Sequence, residues 1–77
     1  MELRLPELSG TKGEIVLTLW RVKESEYVTE GQDILEVVTD KATFDIPAPC
    51  GGKLVGIRKK EGERASVNEI LAEIMET

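Results

Sequence analysis

The chain contains no histidine, and its 77 residues include one cysteine, one tryptophan, one tyrosine and one phenylalanine. Without histidine there is no Ser-His-Asp triad, no Cys-His pair and no His/Cys metal cluster to assemble, so neither an independent catalytic centre nor a metal site is expected. Cys50 has no second thiol for an intramolecular disulfide, which suits a reducing compartment. Beside Pro49, Gly51 and Gly52 it reads as a small apolar residue at a turn, with no neighbour that would activate a thiolate. Ten basic residues stand against fifteen acidic ones, a net charge of -5, and the basic ones are scattered, which disfavours nucleic acid as a partner. No apolar run is long enough to cross a membrane, and Met1 leads into Glu2-Leu3-Arg4-Leu5-Pro6 without the core of a signal peptide. The expectation is one soluble domain over residues 1–77, monomeric and cytoplasmic, or in an organelle matrix if processed.

What the chain does contain is a series of short β-branched runs separated by turn residues. Strands are expected near residues 3–5, 15–22, 34–39, 42–46, 53–58 and 70–75, with Tyr27-Val28 as a strand fragment. Pro6 ends the first, and Pro47 and Pro49 prevent continuation after residue 46. Residues 9–13, 23–26, 29–33 and 59–63 carry the turns. The last segment also fits a helix, since apolar residues fall at 70, 71, 74 and 75 among good helix formers.

An internal repeat decides that segment. A shift of 37 residues superimposes Leu17 on Leu54, Arg21 on Arg58, Lys23 on Lys60, Glu24 on Glu61, Glu26 on Glu63 and Glu36 on Glu73. Trp20 falls on Ile57, Val28 on Ala65, Thr29 on Ser66, and Ile34 on Leu71. Residues 34–39 read as strand, so residues 71–76 should be strand too. A second shift, of 41, places Leu3-Arg4-Leu5-Pro6 on Phe44-Asp45-Ile46-Pro47, which makes the first connection four residues longer than its counterpart. Two such units are expected to pack face to face about a pseudo-twofold axis, with Trp20 in the core. Asp40 then falls opposite Thr77 and Lys41 has no counterpart, so a hairpin tipped by Lys41 should lie at the far end of the domain from the termini.

These features together resemble the lipoyl domain of the acyltransferase components of 2-oxo acid dehydrogenase complexes. The resemblance runs through Leu5-Pro6-Glu7-Leu8, Trp20-Arg21-Val22-Lys23-Glu24, Gly31, Glu36-Val37-Val38-Thr39-Asp40-Lys41-Ala42, Ile46-Pro47-Ala48-Pro49, Gly51-Gly52-Lys53 and Leu71-Ala72-Glu73-Ile74. It implies an all-β flattened barrel of two four-stranded antiparallel sheets, with lipoic acid in amide linkage on Lys41. It implies that Asp40 and Ala42, with Thr39 and Val38, serve recognition by a lipoate-attaching ligase or transferase. It implies a swinging arm that carries acyl groups and reducing equivalents among a 2-oxo acid decarboxylase, the acyltransferase core and dihydrolipoyl dehydrogenase. It implies that the loop Ser9, Gly10, Thr11, Lys12 and Gly13 helps select the decarboxylase, and this loop lacks the Gly-Glu-Gly run often found after Leu-Pro in such domains. A lysine amine is protonated at neutral pH and needs an activated acyl group to be modified, so the domain would be a substrate in that step. Two alternatives remain: a biotin carboxyl carrier, which usually flanks its lysine with methionines, and an unmodified interaction module of the same fold.

Overall fold

The computed structural model describes residues 1–8 and 15–76. Every regular element among them is a strand: β1 (Glu2–Arg4), β2 (Ile15–Trp20), β3 (Tyr27–Val28), β4 (Asp33–Val38), β5 (Thr43–Pro47), β6 (Gly52–Val55), β7 (Arg64–Ala65) and β8 (Ile70–Glu76). They form two four-stranded antiparallel sheets, ordered β1-β8-β6-β3 and β5-β4-β2-β7. The expected architecture is present, although hydrogen bonding does not close the two sheets into one continuous barrel.

The two sheet orders are the same sequence of elements under the 37-residue repeat. Leu17 pairs with Val37 as Leu54 pairs with Ile74, and Val28 pairs with Gly52 as Ala65 pairs with Ile15. Each half sends its short strand into the other half's sheet: β3 joins β6, and β7 joins β2. No strand is expected from sequence at β7, two residues in a polar stretch, although Val28 and Ala65 are repeat mates. β6 also ends earlier than expected, at Val55, because Gly56 turns the chain with φ 62°.

The first strand is shifted from its expected match. Leu3 pairs with Ala72 where Ile46 pairs with Leu35, and Arg4 pairs with Ile70 where Pro47 pairs with Asp33. The structural equivalence is therefore Leu3 with Ile46, an offset of 43 rather than 41, and the first connection is six residues longer than its counterpart. Residue type misled the alignment: Pro6 and Pro47 look alike, but Pro47 lies in β5 and Pro6 lies beyond β1.

Both pairings contain a register shift, between Leu3 and Arg4 and between Asp33 and Leu35. Such a bulge lets two successive side chains face the same way. Ile34 and Leu35 are both buried, as are Leu71 and Ala72. The bulge adds Leu71 to the buried side beside Ala72 and Ile74, whereas Met75 at the end of the apparent helical face is 62% exposed. The core between the sheets includes Leu5, Ile15, Leu17, Ile46, Leu54 and Ile74, and no polar or charged residue is buried among the described residues.

Candidate functional site

β4 and β5 meet at the turn Thr39, Asp40, Lys41, Ala42. Their ladder ends at the pair Val38 and Thr43, below which Val37 opposes Phe44. Val37 is fully buried and Phe44 packs against the core, so the base of the hairpin is anchored by apolar contact while Asp40, Lys41 and Ala42 are exposed.

Thr39 closes the turn in an unusual way. Its N–H donates to the Ala42 carbonyl at 2.9 Å. Its Oγ1 accepts the N–H groups of Lys41 and Ala42, each at 3.1 Å, and donates to the Ala42 carbonyl at 3.1 Å. The hydroxyl thus takes the place of a backbone carbonyl as acceptor for Ala42, the behaviour of a Ser/Thr turn. Neither Asp40 nor Lys41 has a positive φ, so the turn needs no glycine.

The Asp40 carboxylate and the Lys41 ammonium make no hydrogen bond or ion pair among the described residues. Lys41 therefore presents an amine on a long flexible stem from a backbone that is tied down. An exposed amine flanked by one small and one anionic residue is accessible to covalent acylation. Of the residues expected at the site, Val38, Thr39, Asp40, Lys41 and Ala42 come together on this hairpin, with Val38 and Thr39 half-buried beneath the other three. The loop Ser9, Gly10, Thr11, Lys12 and Gly13 lies outside the described residues. No group of three or more metal-ligating side chains occurs among the described residues, and no helix there is long and apolar enough to cross a membrane.

The hairpin lies in one sheet and the chain's first residues lie in the other, where the Met1 ammonium donates to the Ile74 carbonyl at 2.6 Å and the Ile74 N–H donates back to Met1 at 2.7 Å.

Residues 1–74 match the family model Biotin_lipoyl, described as "Biotin-requiring enzyme". The chain belongs to this family. Among its relatives, a dihydrolipoyllysine-residue succinyltransferase component of the 2-oxoglutarate dehydrogenase complex from Bartonella vinsonii subsp. berkhoffii is 36% identical over 73 residues, 95% of this chain. The corresponding component from Cupriavidus necator is 32% identical over 74 residues, 96% of this chain. A lipoamide acyltransferase component of the branched-chain alpha-keto acid dehydrogenase complex from Pseudomonas putida is 32% identical over 72 residues, 94% of this chain. The chain spans only 17 to 18% of the length of these relatives. Its fold matches the lipoyl domain of the 2-oxoglutarate dehydrogenase complex from Azotobacter vinelandii with a TM-score of 0.79 at 24% identity, covering 97% of this chain and 95% of that one.

A second feature of this Biotin_lipoyl domain lies away from the hairpin. Trp20, Val22, Lys23, Glu24, Ile57, Lys60 and Glu61 line an open groove, and three pairs of them are repeat mates. The Trp20 N–H donates to Glu61 at 2.9 Å, and the Ile57 N–H donates to Glu24 at 3.0 Å. Trp20 is half-buried rather than a core residue: its indole packs against the core while Nε1 donates to the Lys59 carbonyl at 2.8 Å. An indole that is buried must find a partner for its N–H, and the turn after Ile57 supplies it.

Proposed function

We propose that this domain is a lipoyl carrier, and that Lys41 is the residue that receives lipoic acid. The observation that carries the reading is the hairpin itself: an unpaired, exposed lysine between Asp40 and Ala42, on a turn whose backbone is held by Thr39. The family includes biotin carriers as well as lipoyl domains. Asp40 and Ala42 in place of flanking methionines favour lipoate, as do the lipoyl-dependent names of the relatives.

In the attachment step the chain is substrate, not catalyst. The Lys41 amine, after losing a proton to solvent, forms an amide with a carboxyl group that a separate ligase or transferase has activated, and the activating group leaves. When bound, lipoic acid supplies the disulfide that takes up acyl groups and electrons. The chain's own contribution is to hold the Lys41 backbone still while leaving its side chain and everything attached to it free to move. Tethering raises the effective concentration of a carried group at any active site the arm can reach. The partners that follow are a 2-oxo acid decarboxylase, an acyltransferase core and dihydrolipoyl dehydrogenase, in a cytoplasmic or organelle-matrix complex.

The test offers the purified chain ATP with lipoate and a lipoate ligase, or ATP with biotin and a biotin ligase, and measures intact mass. One lipoyl group per chain is expected, absent from Lys41→Arg, whose circular dichroism should match the parent. Biotin uptake in place of lipoate, or lipoate on another lysine in Lys41→Arg, overturns the assignment.

A further inference from the structure

We propose that Thr39 is a positioning residue for the modification of Lys41, acting through the turn backbone and not by contact with the incoming acyl group. The inference rests on the reading of Lys41 as the attachment site and adds the physical reason why the lysine is presented in one geometry.

The hairpin tip has little else to order it. Asp40, Lys41 and Ala42 are exposed, their side chains make no bond among the described residues, and no proline restricts the four turn residues. Fixing the backbone of each residue carries an entropy cost on the order of 1–2 kcal/mol, so a tip without local bonds would sample several conformations. Thr39 supplies those bonds. One hydroxyl meets the Lys41 N–H, the Ala42 N–H and the Ala42 carbonyl, and the Thr39 N–H adds a fourth bond across the same turn. The Lys41 N–H is thereby tied to a residue whose own backbone adjoins the end of the β4–β5 ladder, at Val38 and Thr43.

An enzyme that must bring one lysine amine to an activated carboxyl group binds the fraction of domains whose tip is already in the acceptor conformation. Its apparent affinity falls in proportion as that fraction falls. The structure thus assigns to Thr39 an effect on the concentration dependence of modification, while the reactivity of the amine itself should not change. Side-chain chemistry sets the pattern of substitutions. Serine keeps the hydroxyl. Asparagine offers a carbonyl oxygen to the same two N–H groups, as Asx turns do. Valine matches the shape of threonine and offers no acceptor.

The experiment measures initial rates of lipoylation by intact mass across a range of domain concentrations, for the parent chain, Thr39→Ser, Thr39→Asn and Thr39→Val. Thr39→Ser is expected within about twofold of the parent in kcat/KM and Thr39→Val at least tenfold lower, mainly through KM, with Thr39→Asn between them. Acetylation of Lys41 by a small N-hydroxysuccinimide ester should proceed at the same rate in all four, since that reagent does not select a backbone geometry. Unchanged kcat/KM in Thr39→Val, or an equal loss in Thr39→Ser, overturns the proposal and leaves the attachment reading intact. A parent chain that takes up no lipoate overturns both. If Thr39→Val loses the native Trp20 emission, Thr39→Asn is compared with Thr39→Ala at a temperature where both retain it: at least fivefold faster modification of Thr39→Asn supports the proposal, and equal rates overturn it.

Discussion

Ser25 has φ 80° and Asn68 has φ 72°, both in the left-handed region that L side chains enter at a cost. Their repeat mates show what the fold asks of these positions: Gly62 has φ 90° and Gly31 has φ 85°. Asparagine tolerates this conformation better than serine does. Ser25→Gly is therefore expected to stabilise the domain by about 0.5–1 kcal/mol, read as a higher urea midpoint at unchanged slope. No change or a loss of stability would show that Ser25 is not held with positive φ. Glu69 makes a second local case. The Lys59 Nζ donates to its carboxylate at 2.9 Å and the Ser66 N–H at 3.0 Å, and these bonds, Lys59 first, hold its carboxyl below the usual glutamate range against an opposing effect of desolvation. A carboxyl whose pKa is lower folded than unfolded adds stability above the unfolded value, and that contribution is lost as pH falls through the folded value. A carboxyl NMR titration should find Glu69 with a midpoint below those of exposed glutamates, and Glu69→Gln should weaken the acid-side loss of stability. A Glu69 midpoint at or above the others contradicts the bonds. Lysine at a hairpin tip is legible in sequence because chain direction and turn composition specify it, and Lys41 lies exposed at the β4–β5 turn as expected. The part played by the Thr39 hydroxyl was not legible, because a threonine beside a turn has several bonds open to it and only coordinates show which it makes.

At the scale of elements, the ends of β2 and β6 are treated alike. Each chain leaves its sheet with a backbone N–H, on Trp20 or Ile57, that finds a glutamate side chain from the opposite half. Salt bridges follow the same symmetry: Arg21 reaches Glu36 at 3.1 Å, and Arg58 reaches Glu73 at 3.4 Å. Exposed ion pairs of this kind add little, whereas a carboxylate bond to a backbone N–H that the ladder has left unpaired is worth about 1 kcal/mol. Glu24→Ala and Glu61→Ala should each cost about 0.5–1.5 kcal/mol, with similar values because the sites are equivalent. Chemical denaturation of the two variants and their double checks this, and no loss in either would remove the two glutamates from the account. The repeat made these equivalences readable before any coordinates, since Glu24 and Glu61, and Trp20 and Ile57, are 37 apart. It could not reveal the bulges in the β1–β8 and β4–β5 pairings, and the likeness of Pro6 to Pro47 leaves the expected offset of the first strand two residues short. β7 escaped for a related reason. Two residues of ladder carry too little hydrophobic pattern to be seen, and its pairing with Ile15 and Val16 depends on the other half of the chain.

The whole molecule is two interlocked copies of one β unit, joined by the exchange of β3 and β7 between sheets and by a core drawn from both halves. A sheet pair of this kind gives the hairpin a stable base, because Val37 and Phe44 below the turn are held by the shared core. Function in this account rests on that contrast, a fixed backbone at Thr39, Asp40, Lys41 and Ala42 beneath an unpaired side chain. Intact mass and peptide fragmentation of the chain made in a host supplied with lipoate test it most directly. One lipoyl group on Lys41, and on no other lysine, is the predicted result. A biotinyl group there, or an unmodified Lys41 beside a host protein that is fully lipoylated, would contradict it.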